Sequence, residues 1–133
     1  MRAASSIRVM VVDDFDSFRQ FVCLALEQRP ELRVICEVSD GQEAVHKARE
    51  LRPDLILLDI GLPTLNGIEA ARRILALVTE SKIIFLSQET SADVVQVAMS
   101  LGAWGYVFKT HAAGDLLPAI DAVLSGKRFV SGA

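Results

Sequence analysis

The feature that most constrains this chain is a repeated switch of period. Short runs that are apolar at nearly every position alternate with longer stretches whose apolar residues recur three and four apart. Ile7–Val12 reads IRVMVV and stops at two aspartates. From Asp16 onward, Phe18, Phe21, Val22, Ala25 and Leu26 fall at helical spacing, and Pro30 ends the stretch because proline cannot continue a helix. Leu32–Val38 is a second strand-like run, followed by a turn from which Asp40 caps a helix to about Leu51. Pro53 resets the chain before its most apolar run, residues 54–60. Beyond a loop, residues 67–78 carry Ile68, Ala71, Ile74, Leu75 and Val78 on one helical face. Residues 82–86 form a fourth run, and Ser91 caps a helix over 92–101 that Gly102 stops. A fifth run at 104–108 and a helix over 113–124, stopped by Gly126, complete the pattern.

Strands alternating with helices of this length imply parallel strands joined by helical crossovers. Runs that are apolar throughout imply burial on both faces. The expected fold is therefore an α/β three-layer sandwich with five strands and five helices. Five strands suit the flavodoxin-like order 2-1-3-4-5, which known folds of this layout supply rather than the residues themselves. Pro118 falls inside the last helix and should leave the Gly114 carbonyl unpaired. That predicts a kink, or a helix whose regular part starts near Asp115.

With 133 residues the chain has room for one domain of ordinary size. Its 51% hydrophobic and 23% charged residues exclude disorder as the main state. Its densest apolar run, residues 55–58, is bounded by Asp54 and Asp59. A bilayer needs ~20 apolar residues, so no membrane span is expected. Seventeen acids (Asp+Glu 17) against fourteen bases (Lys+Arg 14) give a net charge of −3, which argues against binding nucleic acid by charge alone. The first residues are polar, with no apolar leader core, and a cytoplasmic location is expected. Cys23 and Cys36 sit in apolar contexts without CxxC spacing and are expected to be reduced.

In an open parallel sheet, sites form at the carboxyl ends of the strands. Asp13 and Asp14 follow the first run, Asp59 ends the third, Ser87 the fourth and Lys109 the fifth. Taken singly, these are a helix cap, a solvated loop acid, a turn residue and a surface lysine. Taken together, they fall on one edge of the expected sheet. Like carboxylates at ~4 Å and an effective dielectric near 20 repel by about 4 kcal/mol per pair. A cation, a proton or Lys109 must offset that. Mg²⁺ fits best, with Mn²⁺ as a substitute, because it takes oxygen ligands and uses one or two carboxylates beside a phosphate. One carboxylate is then free to act as a nucleophile toward phosphorus, forming an aspartyl-phosphate. Lys109 would bind one oxygen of the transferring group and Ser87 would donate to another.

These residues lie within wider motifs: VVDD at 11–14, LILLDIGLPTLNGIEAARRI at 55–74, Ser87, and GAWGYVFK at 102–109. In this order and spacing, the chain resembles the receiver domain of two-component response regulators, a CheY-like fold. The segments DIGLP, LNGIEA and GYVFK resemble the LuxR-type (NarL/FixJ) branch, whose members usually carry a C-terminal helix-turn-helix. The resemblance implies that Asp59 is the phosphoacceptor. Asp14 would bind Mg²⁺ directly, Asp13 mostly through water, and the Gly61 backbone carbonyl would be the third ligand. Ser87 would sense the phosphoryl group, and Lys109 would match the family's lysine. Tyr106 would be the aromatic switch, moving from an exposed to a buried rotamer and altering the face made by helix 4, strand 5 and helix 5.

The implied partners are a sensor histidine kinase, a second copy in a homodimer, and DNA only through an output domain absent from this chain. On this reading residues 1–126 are the receiver and 127–133 a tail that begins a linker. The chain departs from the family pattern at Thr110, where a proline often follows the lysine. A cis bond retained there would cost about 3 kcal/mol. Glu89 lies near the path of attacking water, and Pro118 lies on a helix many receivers use for dimer contacts.

Other readings fit less well. A haloacid-dehalogenase phosphatase needs a second acid two residues after its nucleophile, where this chain has Gly61. A flavodoxin needs a hydroxyl- and glycine-rich phosphate loop, where this chain has Asp13-Asp14-Phe15. A stand-alone or docking-only receiver is the remaining alternative. His46 and His111 lack the surroundings of a phosphohistidine, Trp104 reads as edge packing, and Lys127-Arg128 reads as a solvated pair. The expected activity is self-phosphorylation and slow self-dephosphorylation, not turnover of a separate substrate.

Overall fold

Each run of the alternation forms its element in a computed structural model that describes residues 6–132. The leader reading of the first residues falls largely on 1–5, outside the described residues. The strands are β1 (Ile7–Val12), β2 (Leu32–Val38), β3 (Leu55–Leu58), β4 (Lys82–Ser87), β5 (Gly105–Phe108) and β6 (Phe129–Val130). Between them run α1 (Asp16–Leu26), α2 (Gly41–Leu51), α3 (Gly67–Leu77), α4 (Ala92–Ser100) and α5 (Ala112–Leu124). The sheet is parallel, in the order β2-β1-β3-β4-β5-β6.

Helix starts follow local chemistry. Asp40, Asn66 and Ser91 each accept from the backbone N–H three residues on, satisfying donors that a helix leaves free. Strand side chains alternate between two cores. Val9, Val11, Leu55, Leu57, Ile84, Leu86 and Val107 face α1 and α5. Met10, Val12, Ile56, Leu58, Ile83, Phe85 and Tyr106 face α2, α3 and α4. Burial of both faces is what the continuous apolar runs required.

Four expectations need correction or completion. The sheet has six strands, not five, because Phe129 and Val130 pair with Gly105 and Tyr106. Two of the residues read as a tail, Phe129 and Val130, therefore lie in the sheet. Arg128, read as solvated, is exposed but tethered: it donates to the Ala103 carbonyl at 2.6 Å and stacks 4.9 Å from the Trp104 ring. The last helix starts at Ala112 rather than near Asp115. It tolerates Pro118 because Pro118 and Gly114 are both exposed, so water can serve the carbonyl that proline leaves unpaired. The Lys109–Thr110 bond is trans. Lys109–His111 instead close a short 3₁₀ turn into α5. Both cysteines are free: Cys23 packs on one core and Cys36 on the other, so the sheet separates them.

Candidate functional site

The parallel ladder runs one residue past its strands. The Asp13 N–H reaches the Val38 carbonyl and the Asp59 N–H the Val12 carbonyl, both at 3.0 Å. Two acids are thereby fixed at the rim of adjacent strands while their side chains leave the core. Asp13 and Asp59 are buried and Asp14 is exposed, and carboxylate oxygens of the three lie within 4.8 Å of one another. Asp13 Oδ1 accepts from the Phe15 N–H at 2.9 Å, turning the chain toward α1. Asp13 Oδ2 is buried and accepts no hydrogen bond. Its close partner among the described residues is the Lys109 ammonium, 2.8 Å away and 3.5 Å from Asp59 Oδ2. At that orientation the contact is between charges rather than a directed bond.

Around Asp59 the backbone is held tightly. The Gly61 N–H donates to Asp59 Oδ1 at 3.3 Å. Gly67 opens α3 so close to the strand end that a Cβ there would lie 2.0 Å from the Asp59 carbonyl oxygen. Only glycine permits that approach. Burial pushes the Asp59 carboxyl above the ordinary carboxylate range, Lys109 opposes the shift, and Asp13 reinforces it.

On the other flank, Ser87 Oγ accepts from the Glu89 N–H at 3.0 Å. The Tyr106 hydroxyl donates to the Glu89 carbonyl at 2.7 Å. Tyr106 is fully buried, with Phe85 and Phe108 rings at 6.1 and 5.9 Å. Burial raises the pKa of its hydroxyl. In this structure the aromatic side chain therefore occupies its inward position.

All seven residues singled out in the sequence thus belong to one neighbourhood. Asp14, Asp59, Gly61, Ser87 and Lys109 line a cleft of about 380 Å³, Asp13 sits beneath it, and Tyr106 buttresses its β4 rim. Phe15, Gln88 and Val94 also line the cleft. Nothing in their spacing marks them, because they enter only through the loop and helix that close over the strand ends. Clustered carboxylates with an unsatisfied buried oxygen suit a hard divalent cation that takes oxygen ligands.

The comparisons with known proteins agree with this geometry. Residues 9–121 match the response regulator receiver domain. The chain is 38% identical over 121 residues to the transcriptional regulatory protein LiaR of Bacillus subtilis (strain 168), covering 91% of this chain and 57% of that protein. It is 34% identical over 125 residues to the response regulator UvrY of Escherichia coli (strain K12), covering 94% and 57%. The chain therefore spans just over half the length of these relatives. Among solved structures, a LuxR-family two-component response regulator from Aurantimonas superposes with a TM-score of 0.91 at 34% identity, covering 96% of this chain and 91% of that one. The response regulator domain of Thermotoga maritima CheB gives 0.83 at 34% identity, covering 90% and 97%. By sequence and by fold, the chain belongs to the response regulator receiver domain family.

Proposed function

We propose that this domain is a phosphorylation switch in which Asp59 accepts a phosphoryl group in a Mg²⁺-dependent step. The observation that carries this reading is the placement of Lys109 between Asp13 and Asp59 at the mouth of a cleft. A nucleophile, a charge clamp and an acidic cation cradle share one site there. Asp13, Asp14, Asp59 and the Gly61 carbonyl would hold the ion. When bound, Mg²⁺ neutralises charge on the transferring group. An Asp59 carboxylate oxygen bonds to phosphorus as the donor's bond to phosphorus breaks, and the leaving group departs with a proton from water. A histidine kinase would be the physiological donor, whose phosphohistidine P–N bond is the one broken.

Lys109 then pairs with a phosphoryl oxygen, which competes with its present hold on Asp13. Ser87, whose Oγ accepts from the Glu89 N–H, turns its O–H toward another phosphoryl oxygen. Because Tyr106 donates to the carbonyl of the same residue, the two side chains are coupled through the Glu89 backbone, biasing the packing of α4, β5 and α5. The output is transcriptional control through a DNA-binding domain beyond this chain, with dimerisation as one route to it. The domain modifies itself and does not turn over a separate substrate.

Intact mass after incubation with acetyl phosphate and Mg²⁺ tests this reading. The expected result is one added phosphoryl group on the wild type and none on Asp59→Asn or in strong chelator. Labelling that persists in chelator, or no labelling of the wild type with Mg²⁺ bound, contradicts it.

A further inference from the structure

We infer that Phe18 is a positioning residue for Lys109, its ring forming a seat that holds the ammonium beside Asp59. This rests on the phosphoacceptor reading above. Lys109 Nζ lies 4.6 Å from the centroid of the Phe18 ring and 5.6 Å from that of Phe15. Its side chain is only 10% exposed. A desolvated ammonium over an aromatic face is attracted by the ring quadrupole, and the attraction grows as water is excluded.

Asp13 Oδ2 is closer to the ammonium than Asp59 Oδ2, 2.8 against 3.5 Å, and accepts nothing else. Those two charges bring the ammonium between the carboxylates, nearer Asp13 than the nucleophile. The Phe18 ring adds an attraction from α1. Its own placement is fixed by the Phe21 ring at 5.5 Å and by packing against the core under α1. Phe15 is farther and 57% exposed, so it contributes less.

An aliphatic residue would serve equally as the apolar stripe of α1. The aromatic face is what the ammonium uses. Phe18→Leu keeps an apolar side chain while removing the quadrupole. Phe18→Tyr keeps the ring, and because Phe18 is only partly buried an added hydroxyl has a route to solvent.

Two measurements test the inference, the first needing neither metal nor phosphodonor. In the proton NMR spectrum, the Lys109 ε-CH₂ resonances should be displaced upfield by the ring in wild type and Phe18→Tyr, and return to the ordinary lysine position in Phe18→Leu. In the second, phosphorylation by acetyl phosphate at saturating Mg²⁺ should slow about fivefold in Phe18→Leu and recover in Phe18→Tyr. That factor matches about 1 kcal/mol of cation–π attraction. Mg²⁺ affinity should not change, because the carboxylates stay in place. An ε-CH₂ shift that survives Phe18→Leu overturns the inference. So does slowing in Phe18→Leu that Phe18→Tyr does not reverse, or that comes with weakened Mg²⁺ binding. If the wild type accepts no phosphoryl group, the phosphoacceptor reading fails, while the NMR shift still decides where Phe18 holds Lys109.

Discussion

The Tyr106 hydroxyl donates to the backbone carbonyl of Glu89 at 2.7 Å, bridging β5 to the loop that follows β4. The N–H of the same Glu89 is taken by Ser87 Oγ. One residue's backbone thus joins the site hydroxyl to the buried aromatic ring. Ser87 and Tyr106 thereby hold the loop after β4 from its two sides, with the Tyr106 ring buried.

Replacing Tyr106 with Phe keeps the ring stack and removes only the bond. Tyr106→Phe should cost about 1 kcal/mol of stability. Urea unfolding reads that loss, and faster amide exchange in residues 88–91 locates it. Unchanged exchange there would mean that the loop does not depend on Tyr106.

Cation binding should relieve repulsion among Asp13, Asp14 and Asp59. A ligand at a hundred times its Kd stabilises the native state by about 2.7 kcal/mol. Thermal unfolding of the wild type should therefore shift upward with Mg²⁺ and return with chelator. Asp14→Asn should shrink the shift, since Asp14 is the exposed acid of the three and reaches the cleft directly. An equal shift in the variant would place the ion elsewhere.

Asp59 carries a pH signature. Its carboxyl is held above its ordinary value of 3.8 by burial, against the pull of Lys109. Below 3.8 it is protonated whether folded or unfolded and contributes no penalty. As pH rises through the raised folded value, the native state must ionise a group that its surroundings disfavour, and stability is lost. Asp59→Asn should therefore unfold at higher temperature than the wild type at neutral pH, with the gap closing in acid. A gap that is constant with pH would show that charge is not its cause.

Most of this architecture was legible in the sequence because parallel strands buried on both faces must be apolar throughout, and each stops at the polar residue it delivers to the rim. Asp13, Asp59, Ser87 and Lys109 follow from that rule alone. What the residues hid has physical causes. A two-residue strand, Phe129–Val130, is too short to show a period. The seating of Lys109 on Phe18 joins the turn after β5 to α1, and Phe18 reads from sequence only as one member of an apolar stripe. The inward placement of Tyr106 depends on a backbone carbonyl, which no side-chain pattern reports.

The sixth strand is anchored by Ser131, which is buried. Its N–H donates to the Tyr106 carbonyl at 2.9 Å, its hydroxyl donates to Asp115 Oδ2 at 2.7 Å, and its Oγ accepts from the Phe108 N–H at 3.1 Å. Ser131→Ala strands a backbone donor and a carboxylate oxygen, a loss of about 1–3 kcal/mol. Amide exchange should accelerate at Phe108 and across residues 129–131. If the Phe108 amide stays protected, the contact is dispensable.

Chemical trapping of the phosphorylated residue tests the central claim most directly. Borohydride reduces an aspartyl phosphate to homoserine, and peptide mass locates the change. After treatment with acetyl phosphate and Mg²⁺, homoserine should appear at position 59 and at no other aspartate. Homoserine at position 13 or 14, or none in a sample whose intact mass shows the added phosphoryl group, would contradict the assignment of Asp59 as acceptor.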